Sequence, residues 1–206
     1  MLVAAGIGII RYRQLGKPQQ LLLLLTLLAL SMEAVARTLY YYRHPNLFLG
    51  PIDTAIEFTL LALMYRLALQ PSSLSRLILW LVGAFVLGSA FSYTPRLDTE
   101  EFSPVQHTLE AVLLLGFVGS YFYREIIHPV VSAKLRQDPM FWVSAGALLY
   151  FAGNLLVFLS SNYVLQLSQA LSFQVWTVHA MLYSLLNVLY AVALACPARL
   201  PRAGIT

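Results

Sequence analysis

The chain has 206 residues, of which 59% are hydrophobic and only 11% charged, with a formal net charge of +4. A soluble domain carries about 25% charged residues, so a water-facing exterior is excluded for most of this surface and a lipid-facing one is expected. The basic residues are scattered rather than in a run, which leaves no nucleic-acid-binding surface, and the single cysteine, Cys196, excludes an intrachain disulfide or a multi-cysteine metal cluster.

The chain opens on an apolar stretch, Met1–Ile10, that ends at Arg11 and Arg13. Ten helical residues rise about 15 Å, roughly half of a hydrocarbon core. The expectation is that this span (1–11) is truncated and its helix starts upstream; a half-span packed against the bundle is the alternative. No basic stretch precedes the apolar one, so no cleaved signal is expected. Six stretches near spanning length follow: Leu21–Tyr42, Ile52–Leu69, Leu74–Tyr93, Val105–Tyr123, Met140–Asn162 and Val175–Cys196. The breaks carry turn chemistry, with His44-Pro45-Asn46, Pro71-Ser72-Ser73, Thr94-Pro95-Arg96, His128-Pro129 and Asp138-Pro139. Proline there ends a helix or sits in its first turn. The fold class is therefore all-α: one polytopic bundle of about seven transmembrane helices over residues 1–206.

Basic residues in the connections give the orientation. Arg11, Arg13, Lys17, Arg66, Arg76, Arg124, Lys134, Arg136, Arg199 and Arg202 fall on one side, which is ten of thirteen. Arg37, Arg43 and Arg96 fall on the other, with Asp53, Asp98, Glu100 and Glu101. This places the N-terminus outside and the C-terminus in the cytoplasm. The expected location is a bacterial inner (plasma) membrane, crossed several times.

Ionisable side chains inside a span are costly, and face the bundle interior or a cavity. Glu33 and Arg37 lie one turn apart on the second helix, and Glu57 lies one turn below Asp53 on the third. His107 and Glu110 are three apart on the fifth; Tyr150 and Asn154 share a face of the sixth; His179, Tyr183 and Asn187 form a stripe on the seventh. Glu33, Arg37, Glu57, Glu110, Asn154 and His179 all fall in the outer half, from five helices. With Tyr150, Tyr183 and Asn187 they make up a candidate ligand-binding pocket. Three carboxylates face one arginine, so a group there could hold a proton, meet a cation or bind a metal.

Other readings stand beside the pocket. Buried polar groups also act as plain interhelical hydrogen bonds, typically worth about 0.6 kcal/mol each. A metal site has weak support: His107, Glu110 and His179 are candidates, but no His-Glu-x-x-His or Gly-x-Ser-x-Gly occurs, and no cofactor is expected. No lysine lies in a span, which argues against a retinal Schiff base. Tyr40, Tyr41, Tyr42, Trp80, Tyr93, Tyr121, Tyr123, Trp142, Tyr163 and Trp176 sit near span ends, as an interfacial belt does. Gly116 with Gly119, or Gly146 with Gly153, would allow close helix contact.

The stretch Asp138-Pro139-Met140-Phe141-Trp142-Val143-Ser144-Ala145-Gly146, continued by Leu149-Tyr150-Phe151-Ala152-Gly153-Asn154, and the pair Val178-His179-Ala180 and Asn187-Val188-Leu189-Tyr190-Ala191, resemble a family of short, uncharacterised seven-helix bacterial membrane proteins, as do Glu33 and Glu57. The plan is also similar to the seven-helix sensor regions of some histidine kinases. The resemblance carries no activity to transfer. The leading expectation is a receptor-like or sensor-like protein that binds a small molecule, ion or lipid headgroup in the outer-half polar pocket. Its signalling would need a cytoplasmic partner, met through the loop Arg124–Asp138. The rivals are a membrane-embedded, metal-dependent lipid hydrolase and a transport or assembly subunit.

Overall fold

The computed structural model describes residues 1–93, 104–127, 135–167 and 169–198, with side chains at all of these except 156 and 158–172. They form seven α-helices: α1 Leu2–Ile10, α2 Lys17–Tyr41, α3 Leu49–Ala68, α4 Ser73–Ser92, α5 Pro104–Ile127, α6 Pro139–Leu167 and α7 Gln169–Ala195. Single 3-10 turns stand at Tyr12–Gln14 and Leu135–Gln137, and the described residues contain no strand. Among the described residues, three helices are long and apolar enough to cross a membrane, namely α2, α4 and the stretch Phe173–Ala195 of α7. That composition points to a membrane protein.

Local chemistry sets the helix ends. Pro18 lies in the first turn of α2, where a missing N–H costs nothing, and the Gln19 amide oxygen accepts from Gly16 N at 3.0 Å. Arg43 takes a left-handed conformation (φ 58°), and His44 N donates to Leu39 O at 2.9 Å, which closes α2 as a Schellman turn. Ser72 Oγ accepts from Ser75 N at 3.1 Å and caps α4. Asp138 caps α6, accepting from Met140 N at 3.0 Å, with Pro139 in the first turn.

Consecutive helices run antiparallel, and α3 packs on α2, α4 and α5. From α5 the contacts pass to α6, to α7 and back to α2, so α2, α3, α5, α6 and α7 close a ring. The helix α4 stands outside the ring, held to α3 by the Phe58 and Phe85 rings 4.2 Å apart. The half-length α1 packs between α2 and α7, burying Ala4, Ala5 and Gly8. Only a side chain as small as Gly8 fits there, since a Cβ would meet Leu23 Cδ1 at 2.6 Å. The core includes Phe58, Leu61, Met64 and Tyr65 of α3, Leu114 and Phe117 of α5, Phe151 of α6 and Leu186 of α7, and it extends to Leu22 of α2 and Ile78 of α4.

One end of the bundle is tied by basic and amide groups that cap helix C-termini. Arg11 donates to Leu194 O and Ala195 O; Gln19 Nε2 donates to Ala193 O (2.9 Å) and Cys196 O (3.0 Å). Arg124 donates to Ala68 O (2.8 Å) and Gln70 O (2.9 Å). These bonds satisfy carbonyls that a helix end leaves unpaired and set positive charge at its negative pole. At the other end Gln106 Nε2 donates to Pro51 O and Ser89 Oγ, tying α5 to α3 and α4.

Two features differ from the expectation. The last two helices are longer than Met140–Asn162 and Val175–Cys196, reaching Leu167 and starting at Gln169. The segment between carries no Pro or Gly to break a helix. Gly146 and Gly153 do meet a neighbouring helix, at Leu186, Leu189 and Leu182, whereas a Cβ at Gly116 or Gly119 would meet nothing within 4 Å. The residues Arg96, Asp98, Glu100, Glu101, His128, Pro129, Lys134, Arg199 and Arg202 lie outside the described residues, as does the side chain of Tyr163.

Candidate functional site

The nine candidate residues divide into four places. Glu33 and Arg37 pair within α2, Oε1 to Nε at 2.5 Å, on an exposed face; the Arg37 side chain is 80% exposed. They do not line the interior. The C-terminal half of α2 has few neighbours, so the i,i+4 spacing joins these two to each other and not to the bundle.

Between α3 and α5 lies a carboxylate–imidazole pair. Glu110 is 1% exposed, and its Oε2 is 3.7 Å from His107 Nδ1. Thr54 gives its hydroxyl hydrogen to Gly50 O at 2.9 Å and so meets His107, at 3.3 Å, with lone pairs. The other Glu110 oxygen, Oε1, has no hydrogen-bond partner among the described residues.

Between α6 and α7, Asn154 is fully buried and oriented by its own helix. Its Nδ2 donates to Tyr150 O at 2.8 Å, which turns Oδ1 towards His179 Nδ1 at 3.0 Å. An acceptor at that position assigns the ring proton to Nδ1. The imidazole lies parallel to the Tyr183 ring, with centroids 6.3 Å apart, and edge-on to Trp176 at 5.5 Å. Tyr150 stands 5.8 Å from both His179 and Tyr183.

The fourth place is a narrow cavity between α2, α3 and α7. It is lined by Leu25, Thr26 and Ala29, by Asp53 and Glu57, and by Tyr183, Asn187 and Tyr190. About 20 Å³ is open to the centre of a water-sized sphere, which is room for one to two waters. Tyr150 is an electrostatic neighbour of Glu57, Glu110, Tyr183 and Tyr190, so it stands where the interior groups converge. Glu57 is near the midpoint of α3 and Tyr183 close to the midpoint of Phe173–Ala195, so the cavity lies near the middle of these helices.

Glu57, Tyr183 and Asn187 thus line one cavity; Glu110 lies between α3 and α5, Tyr150, Asn154 and His179 lie between α6 and α7, and Glu33 and Arg37 stand apart. Three polar cavity residues were outside the expected set, Thr26, Asp53 and Tyr190, beside the apolar Leu25 and Ala29. For Tyr190 a signal existed, because 183, 187 and 190 continue one helical stripe. As for a metal, no three of His, Cys, Asp and Glu among the described residues come together as a ligand group; His107 with Glu110 is one pair, and His179 lies elsewhere, between α6 and α7.

No protein-family model matches the chain, and no curated protein or solved structure is significantly similar to it.

Proposed function

We propose that the chain is a seven-span inner-membrane protein, N-terminus outside and C-terminus cytoplasmic, that works as a sensor-like receptor for a small ligand held in the polar interior. The observation that carries this reading is the cavity between α2, α3 and α7, where two carboxylates face a water-sized space near the middle of these helices. Burying carboxylates is expensive, and a dry packing role would be met at lower cost by apolar side chains. The span count has its own support. The helices α3 and α5 carry Asp53, Glu57, Arg66, His107, Glu110 and Arg124, and are less apolar for that reason. Both lie in the ring and bury many of their residues, while leucines, valines and aromatics of α2, α4 and α7 face outward. A helix surrounded by protein can cross a bilayer with polar groups that a lipid-facing one cannot carry.

The test is thermal unfolding of the purified chain in detergent, with Glu57→Gln and His179→Asn variants, across a panel of inorganic cations, small amines and short-chain lipids. A ligand site gives a wild-type shift that Glu57→Gln lacks. Uniform destabilisation by both variants, with no condition-specific shift in the wild type, would assign these residues to a structural network instead.

A further inference from the structure

We infer that the cavity between α2, α3 and α7 is a binding site for one monovalent cation, sodium, held by Asp53, Glu57, Asn187 and Tyr190. This rests on the ligand-site reading above and names the chemical class of the ligand.

The argument is a count of donors and acceptors. Thr26 spends its hydroxyl hydrogen on Leu22 O at 2.8 Å. Asn187 spends one of its two amide N–H groups on Tyr183 O at 2.8 Å, and its side-chain oxygen is an acceptor. Tyr183 donates to Met1 Sδ at 3.7 Å. Asp53 and Glu57 are acceptor-only when ionised. Thr26 and Tyr183 therefore turn their hydrogens elsewhere, and the lining offers mostly lone pairs, with the Tyr190 hydroxyl and the second Asn187 N–H as its remaining hydrogens.

Tyr190 supplies an independent sign that something belongs there. The residue is 4% exposed and lines the cavity, and its buried hydroxyl oxygen has no hydrogen-bond partner among the described residues. A buried hydroxyl without a partner costs roughly 1–3 kcal/mol, so a ligand oxygen or cation that meets it removes a real penalty.

Size and charge narrow the class. Room for a water or two excludes a lipid headgroup, an amino acid or any organic amine larger than ammonium. No Lys or Arg lines the cavity to balance Asp53 and Glu57, and Arg37 is engaged by Glu33 on the outer face. A water molecule could use some of the lone pairs but would leave both carboxylates unbalanced; a monovalent cation meets the lone pairs and balances one of the two. Magnesium keeps several waters, and calcium takes six to eight oxygens, so each needs more room and more ligands than this cavity gives. Sodium, of a size with water and content with neutral oxygens beside a carboxylate, fits.

The experiment uses the full chain in detergent at constant ionic strength, with choline chloride replaced stepwise by NaCl, KCl or LiCl while the unfolding midpoint is followed. A saturable rise in the midpoint with NaCl, weaker with KCl, is expected. Glu57→Gln should abolish it. Tyr190→Phe, which removes one oxygen and keeps the ring, should raise the half-saturating sodium concentration by about tenfold. Should Glu57→Gln fail to fold, the Tyr190→Phe displacement decides alone. The inference is overturned if sodium and choline give the same midpoint, or if Tyr190→Phe leaves the half-saturating concentration unchanged. Should the midpoint instead follow pH, or another member of the ligand panel, in a way that Glu57→Gln removes, the pocket stands and sodium is wrong. With no response to any of these, both readings fall.

Discussion

Asp138 accepts hydrogen bonds from two elements at once, the Met140 N–H of its own helix at 3.0 Å and the Tyr121 hydroxyl of α5 at 2.7 Å. It is 5% exposed, so neither bond is replaced by water when lost. Asp138→Ala should therefore destabilise by about 2 kcal/mol, combining a lost cap with a charge-assisted bond, and Tyr121→Phe by about 1 kcal/mol. Equilibrium unfolding of both variants checks this, and the double variant should cost less than the sum, because both remove the same contact. The Asp-Pro pair was legible in the sequence as a helix start; the tyrosine that completes it was not, since nothing local places residue 121 beside 138. The same limit explains Glu33 and Glu57. Both are acidic residues within apolar stretches, but one lies exposed on the C-terminal half of α2 and the other lines a cavity. Helical rise gives depth along an axis, while the direction a side chain faces depends on where the neighbouring helices stand.

At the scale of helices, small residues separate two kinds of surface. A Cβ at Gly146 would lie 3.0 Å from Leu186 Cδ1 and 3.3 Å from Leu189 Cβ, the latter fixed to the backbone of α7. Gly146→Val should force α6 and α7 apart and cost about 1–3 kcal/mol. Gly116 and Gly119 instead border an open groove of about 720 Å³, floored by Leu69, Leu74 and Tyr123, where α4 leans on α3 and away from α5. Gly116→Ala should be neutral or should stabilise by up to about 1 kcal/mol through helix propensity. Comparing the two midpoints checks the assignment; equal losses would mean that α5 meets a helix there as well. The sequence offered both glycine pairs on equal terms, because spacing alone cannot say which face a neighbour occupies. It also showed the breaks that carry Pro, and understated the last two helices, whose connecting stretch has no breaker.

The whole molecule turns on how many times the chain crosses the bilayer, and two positions decide it. Cys196, the single cysteine, follows α7 at the end capped by Arg11 and Gln19. Asn46 lies between α2 and α3, at the opposite end, with its amide donating to Ala36 O at 3.2 Å. If all the helices cross, five spans from α3 to α7 separate these positions, and they lie on opposite sides. If only α2, α4 and α7 cross, α4 and α7 alone separate them, and they share a side. Labelling with a membrane-impermeant maleimide therefore distinguishes the two arrangements. Wild-type Cys196 should react in inverted vesicles and not in intact cells, and Asn46→Cys with Cys196→Ala should do the reverse. The Cys196 reaction carries its own signature. Burial pushes the thiol above its ordinary range, nearby Asp138 pushes it further, and Arg11 offsets part of this. The reactive thiolate is thus scarce at neutral pH, so labelling in inverted vesicles should be slow and should keep accelerating to higher pH than for a free thiol. Labelling of both positions from the same side would remove the seven-span arrangement, and with it the reason for α3 and α5 to hold their polar residues inside a ring.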